Sequence, residues 1–211
     1  MGKIYYIMGK SSSGKDSIYS SLLKKSELKL KRLVLYTTRP IRSGEENGRE
    51  YFFVTDSDFF QMEKKGCIIE KRDYLTVEGI WRYFTADDGQ INLQEADYLG
   101  IGTLESYMKL KGHFGEETVC PVYIEVEDGE RLLRAIGREK MQEKPRYAEL
   151  CRRFLADQED FSEENIQKAG IEKTFENVEL NDCVEEIANY IKYMQQKLFL
   201  KRTKVWYNEM Q

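Results

Sequence analysis

Histidine is almost missing from this chain of 211 residues, His113 being the only one, and Cys67, Cys120, Cys151 and Cys183 show no C-x-x-C spacing. That scarcity excludes a finger-type or ribbon-type zinc centre and a Cys/His nucleophile pair. It leaves the cysteines as reduced thiols of a cytoplasmic protein. Proline is scarce as well, with three residues, and neither a repeat nor a low-complexity linker divides the sequence. No run of about 18 apolar residues occurs. An apolar strand pattern starts at Ile4 in place of a charged region followed by an apolar segment. The expectation is therefore a protein that neither spans a membrane nor carries a cleaved leader. A basic footprint is also lacking: 33 Lys and Arg stand against 37 Asp and Glu, a formal net charge of −4, which argues against DNA or RNA as partner.

What is present begins with a short apolar run, Ile4–Met8, that breaks into Gly9-Lys10-Ser11-Ser12-Ser13-Gly14-Lys15 and then a helical pattern with Ile18, Leu22 and Leu23 on one face. Strand, glycine loop and helix in that order suit a phosphate cradle, whose backbone N–H groups wrap the anion while a lysine reaches its oxygens. Taken alone, such a loop is also an ordinary Gly/Ser turn. The pattern calls for Ser or Thr after the lysine, and Asp16 stands there instead. A carboxylate beside phosphates needs a cation between them, so Asp16 is the expected Mg²⁺ ligand, with Ser17 as the alternative hydroxyl donor.

Residues 32–36 read as a second buried strand, and the stretch 37–51 as an irregular loop in which Arg39, Pro40 and Arg42 precede the turn glycines Gly44 and Gly48. Guanidinium forks on a stiffened loop suit a second phosphate group; singly, such arginines belong to a solvated turn. The whole string decides. Thr37-Thr38-Arg39-Pro40, Arg42, Gly44-Glu45, Asn47-Gly48, Tyr51 and Phe53-Val54 closely resemble the monophosphate-binding stretch of guanylate kinases. The resemblance is dense over 9–16 and 37–54 and sparse elsewhere.

The resemblance implies an α/β fold of the P-loop kinase type, with a central, mostly parallel sheet flanked by helices. It implies a single domain: core about 1–36, 97–132 and 160–200, an α+β monophosphate-binding insertion about 37–96, and a helical lid about 133–159. It places Gly9, Ser11, Ser12, Ser13, Gly14, Lys15, Asp16, Ser17 and Asn177 on ATP and its Mg²⁺. Arg39, Arg42, Tyr51 and Tyr83 fall on the acceptor phosphate, Glu70 and Thr85 on the acceptor base, and Arg134, Arg138 and Arg153 on the lid. Lys15, Arg42 and the three lid arginines form the expected catalytic set. Glu70 fits guanine chemically, because a carboxylate accepts from N–H groups that adenine does not present together. Partners are then small nucleotides, with neither nucleic acid nor membrane.

Several residues depart from the family pattern. Leu35 replaces a base-contacting serine, and Gly100 and Gly102 stand where aspartates are expected. Glu105 is a substitute carboxylate or a first-turn helix residue, and Trp81 a lid over the site or core. Thr55 and Asp58 form a capping-box pair before Phe59. Further on, 98–102 and 118–126 read as strands, 128–141 and 146–161 as helices, and 175–177 as the last strand. A long helix from Asn181 buries Val184, Ile187, Ile191 and Met194, and a mixed tail runs over 197–211. Taken by themselves, arginines 131, 134, 138, 146, 152 and 153 along the helices 128–141 and 146–161 read as a solvated, salt-bridged face. The activity implied is transfer of the γ-phosphoryl of ATP to GMP. The alternatives are a kinase for another phosphorylated acceptor and a non-catalytic binding module.

Overall fold

The computed structural model describes residues 2–76 and 79–209, without the side chains from 198 onward. In chain order it forms β1 (Ile4–Met8), α1 (Lys15–Lys24), a 3₁₀ turn (Ser26–Leu28), β2 (Leu30–Arg32), β3 (Leu35–Thr37), β4 (Tyr51–Phe53) and α2 (Asp56–Lys64). Next come β5 (Ile68–Thr76), β6 (Gly79–Ala86), β7 (Asp97–Ile101), α3 (Leu104–Phe114) and β8 (Val119–Glu125). The chain ends with α4 (Asp128–Lys140), α5 (Tyr147–Asp160), α6 (Glu163–Lys168), β9 (Thr174–Glu176) and α7 (Leu180–Glu209).

Five strands share a sheet in the order β2-β7-β1-β8-β9, and four share another in the order β4-β3-β6-β5. In the first sheet β2 runs parallel to β7 and β8 parallel to β9. All five residues of β1 are buried, as expected of a strand covered on both faces. The chain divides into two compact units, one of residues up to Tyr6 with Leu30–Pro121, the other of Ile7–Lys29 with Val122–Gln211.

The first unit carries the four-stranded sheet. β5 and β6 form a long antiparallel hairpin closing at Thr76 and Gly79, and β3 pairs antiparallel with β6 and parallel with β4. Tyr36, Phe59, Phe84 and Ala86 make its core, with Phe52, Val54, Met62 and Ile68 against them. Thr55 starts α2 as expected: its side chain accepts from the Asp58 amide while Asp58 accepts from the Thr55 amide. The single strand expected over 32–36 is two. β2 ends at Arg32, the Leu33 amide still donates to Leu99 O, and β3 then leaves to pair with β4 in the other sheet. Leu33, Val34, Leu35 and Tyr36 are all buried, so no polar alternation in the sequence marks where the chain changes sheets.

In the second unit α1 packs on α7. Ile18 and Leu22 of α1 and Val184, Ile187 and Ile191 of α7 are buried, and Met194 is partly so. The helix α6, six residues long, shows no periodicity in the sequence because it is too short to repeat one. The backbone of α7 runs on to Glu209; the contacts of the tail lie outside the described residues. Among the described residues no helix is long and apolar enough to cross a membrane. Replacing Thr55 by Ala is expected to destabilise the first unit by about 1 kcal/mol, with Thr55→Ser close to the parent, in urea unfolding followed by far-UV circular dichroism.

Candidate functional site

In the second unit the chain leaves β1 through Gly9, where an added Cβ would lie 2.6 Å from Ile124 O and 2.9 Å from Ser13 Oγ. No larger residue fits. At the other end Gly14 has a φ of 86° and abuts the Asn177 amide. Between them Ser12 has a φ of 63°, a left-handed conformation that a non-glycine residue holds only when its surroundings impose it. Asn177 Nδ2 donates to Ser13 O at 2.8 Å, so this asparagine braces the loop, while its Oδ1 and Ser13 Oγ are buried without a partner.

Lys15 opens α1 beside this loop. Burial lowers its pKa, opposed by the charges of Asp16 and Asp157, and no ion pair engages its ammonium among the described residues. Asp16 and Ser17 are exposed in the first turn of α1.

Helices α4 and α5 meet the loop through charge. Arg131, which the row of arginines suggested to be solvated, is 1% exposed. Its guanidinium donates to Asp128 Oδ1 from Nη2 at 2.6 Å and to Ser11 O from Nη1 at 3.0 Å, and it lies over the Phe154 ring at 4.8 Å. Asp157 accepts from the Ser11 amide at 2.7 Å and faces Arg131 at 3.5 Å. Lys10 donates to Gln158 Oε1 at 2.7 Å.

Of the expected lid arginines, Arg138 reaches Ser12 Oγ at 3.2 Å. Arg153 pairs with Glu149 at 3.5 Å and lines a crevice with Ser11, Ser12 and Arg138. Arg134 turns the other way, to Glu130 at 2.9 Å and Asn177 O at 3.1 Å. It borders a cavity of about 800 Å³ lined also by Lys10, Tyr123, Glu125 and Asn177.

The first unit holds the other expected residues. Arg39 is buried and forms a fork with Glu45, 2.7 Å to Oε2 and 2.5 Å to Oε1, with its guanidinium 5.2 Å from the rings of Tyr51 and Phe53. Tyr83 meets Tyr51 edge to face at 5.5 Å. The Arg42 amide donates to Glu45 Oε2 at 2.8 Å, while its exposed guanidinium stands 6.0 Å from the Trp81 ring. Trp81 is half-buried. Glu70 is buried, accepts from Thr85 Oγ1 at 2.8 Å, and faces Arg72 Nε at 3.3 Å. Leu35 lies buried in β3 opposite Tyr51. Glu105 is exposed in the first turn of α3, whose N-cap is Thr103, and so serves as a helix-end residue.

Sequence reasoning missed Glu45, Arg72, Arg131 and Asp157 as site residues. Only the spacing of Asp128 and Arg131, three apart on a helix, signalled an ion pair.

The parallel sheet flanked by helices, with a glycine loop running from its buried strand into a helix, is the P-loop kinase fold. Residues 1–77 match the family model described as guanylate kinase. The chain is 30% identical over 103 residues to the guanylate kinase of Hahella chejuensis, covering 47% of this chain and 49% of that protein. It is 47% identical over 74 residues to that of Mycoplasma capricolum, covering 35% and 25%. The crystal structure of guanylate kinase from Anaplasma phagocytophilum superimposes with a TM-score of 0.64 at 19% identity, over 92% of this chain and 86% of that one. The chain thus spans about half the length, or less, of these curated relatives. The chain is similar to guanylate kinases over part of its length, and it shares the fold of the solved one.

Glu45 supplies a pH test. Its hydrogen bonds from Arg39 pull its pKa from the ordinary 4.5 down to about 2. A carboxylate whose folded pKa is depressed contributes stability that is full above its unfolded value and is lost as the pH falls through the folded one. The Arg39–Glu45 fork should therefore persist from neutral pH down to about 2. In a carbon-detected NMR titration, Glu45 is expected to titrate near 2 in the parent and to return toward the ordinary glutamate range in Arg39→Ala.

Proposed function

We propose that this protein transfers the γ-phosphoryl group of ATP to a nucleoside monophosphate, GMP foremost, giving ADP and GDP, as a cytoplasmic nucleotide kinase. The observation that carries the reading is the phosphate loop in the second unit: Gly9 and Gly14 fit nothing larger, Lys15 forms no ion pair among the described residues, and Arg138 reaches across to Ser12. The guanylate kinase relatives support the choice of substrates.

The acceptor phosphate is already an anionic nucleophile, so no histidine or cysteine base is needed. Catalysis reduces to alignment and to stabilising charge that spreads over the transferring phosphoryl oxygens. In this reading the amides of the loop and Lys15 hold the ATP phosphates. The cavity bordered by Tyr123, Arg134 and Asn177 receives the rest of the nucleotide. Arg138 and Arg153, planar and always charged, stabilise the transition state. A phosphate taking the Ser11 amide competes with Asp157, which holds that amide at 2.7 Å.

Arg42 is the free fork for the acceptor phosphate, because Arg39 is committed to Glu45 and serves by fixing the loop. Tyr51, which lies against Arg39 and meets Tyr83, adds its hydroxyl together with that of Tyr83 in this reading, and Glu70 and Thr85 take the base.

Magnesium fits the residues present. Asp16 offers an exposed hard oxygen beside Lys15. Such an ion takes one or two carboxylates and completes its shell with phosphate and water. When bound, Mg²⁺ supplies charge neutralisation for the phosphates.

Turnover with GMP, read as ADP release, tests the proposal. Arg42→Ala is expected to lower kcat/KM by roughly 10- to 100-fold for every acceptor, the value of a charge-assisted contact. Glu70→Ala should do so for GMP and not for AMP. Absence of ADP release with GMP in the parent would overturn the reading. A further measurement addresses the metal: Asp16→Ser should flatten the Mg²⁺ dependence of ATP-analogue binding, and an unchanged dependence would overturn Asp16 as the source of that dependence.

A further inference from the structure

In the second unit, consecutive donors of the phosphate loop are taken by consecutive residues of α5. Asp157 Oδ2 accepts from the Ser11 amide at 2.7 Å, and Gln158 Oε1 accepts from Lys10 Nζ at 2.7 Å. The same Asp157 oxygen stands 3.5 Å from Arg131 Nη1. One carboxylate oxygen is thus held between a loop amide and a guanidinium that is 1% exposed. A backbone N–H beside a fixed cation is the setting in which a phosphate oxygen binds. Here a side chain of the protein fills it.

Scaffolding alone does not account for the contact. Arg131 is held without Asp157: Asp128 Oδ1 accepts from its Nε at 3.0 Å and from its Nη2 at 2.6 Å, and Ser11 O accepts from its Nη1 at 3.0 Å. The rest of the loop has its own supports, Arg138 at Ser12 Oγ and Asn177 at Ser13 O. When Asp157 withdraws, Arg131 therefore keeps an anion and a carbonyl, and the penalty for an unpaired buried charge does not arise. Asp157 is not sealed in either. Its side chain is 14% exposed, so a released carboxylate gains water.

A carboxylate and a phosphate cannot share one N–H, and their like charges repel. Arg131 is buried and stays in place, so it meets whichever anion takes the Ser11 amide. We propose that Asp157 is an internal competitor for the phosphate loop: the phosphates of the donor bind by displacing its carboxylate, and Arg131 is a phosphate-binding residue that passes from Asp157 to the incoming phosphate. This rests on the reading of the loop from Gly9 to Lys15 as the donor phosphate site. Donor affinity is then set by an exchange of anions, and the same exchange frees α5 from the loop at Ser11.

The test is calorimetric titration of inorganic tripolyphosphate and of a non-hydrolysable ATP analogue into the full chain and into Asp157→Ala. Glu159→Gln is the control, since Glu159 is an exposed carboxylate on the same helix, and thermal unfolding checks that each variant is folded. Asp157→Ala should bind both probes about tenfold or more tightly than the parent, the value of a charge-assisted hydrogen bond that no longer has to be broken, with Glu159→Gln within about threefold of the parent. Adding Arg131→Met to Asp157→Ala removes the cation as well, and that double variant should lose the gain. The parent alone supplies a further readout: saturating tripolyphosphate should move the carboxyl carbon resonance of Asp157 and leave that of Glu159 in place.

A gain in Asp157→Ala below about threefold, less than a neutral hydrogen bond is worth, overturns the proposal and leaves the loop as the donor site. So does an equal gain in Glu159→Gln, a double variant that binds as tightly as Asp157→Ala, or an Asp157 resonance in the parent that does not move. Failure of both probes to bind the parent and Asp157→Ala overturns the reading of the loop as well.

Discussion

A buried guanidinium persists only where anions and carbonyls surround it, and Arg131 meets that condition at one place in the second unit. Asp128 on its own helix, Asp157 on α5 and the Ser11 carbonyl of the phosphate loop converge on it, with Phe154 beneath. Desolvating a charge costs several kcal/mol unless such partners are in place, so the loop, α4 and α5 stand or fall together. The left-handed Ser12 fits the same logic. Its backbone is held by neighbours fixed on both sides, Arg131 and Asp157 at Ser11 and Asn177 at Ser13. The loop from Gly9 to Gly14 and the helices α4 and α5 are therefore one mechanical piece.

The first unit divides its charges differently. Arg39 gives its guanidinium to Glu45 and becomes scaffold, and the neighbouring Arg42 keeps its guanidinium exposed. One arginine is thus rigid so that the loop presenting the other has a shape. Glu70 is likewise supported, by Thr85 and Arg72. Leu35 is apolar and Tyr6 fills the space beside Gly100 and Gly102, so neither the serine nor the aspartates of the family pattern stand at these positions.

Much of this was legible in the sequence. The loop from Gly9 to Lys15, the capping pair Thr55 and Asp58, the helices α4 and α5 and the buried face of α7 all follow from local rules of spacing, and all are found. The break between β2 and β3 was not legible, because four consecutive buried apolar residues carry no phase. Nor was the burial of Arg131, since an arginine inside a run of arginines reads as surface until its partners are known.

The sequence by itself determined where the chain bends, caps and approaches closely, because those constraints act between residues a few positions apart. Gly9 and Gly14 frame the loop, and Lys15 follows. Only the tertiary structure decided which charges meet. Asp157 reaches Ser11 across 146 positions, Asn177 reaches Ser13 across 164, and Tyr6 lies over Gly100 and Gly102 on a neighbouring strand. Such partners are selected by how strands order in a sheet and by the cost of leaving a buried polar group alone, and neither is written in any short stretch of the chain.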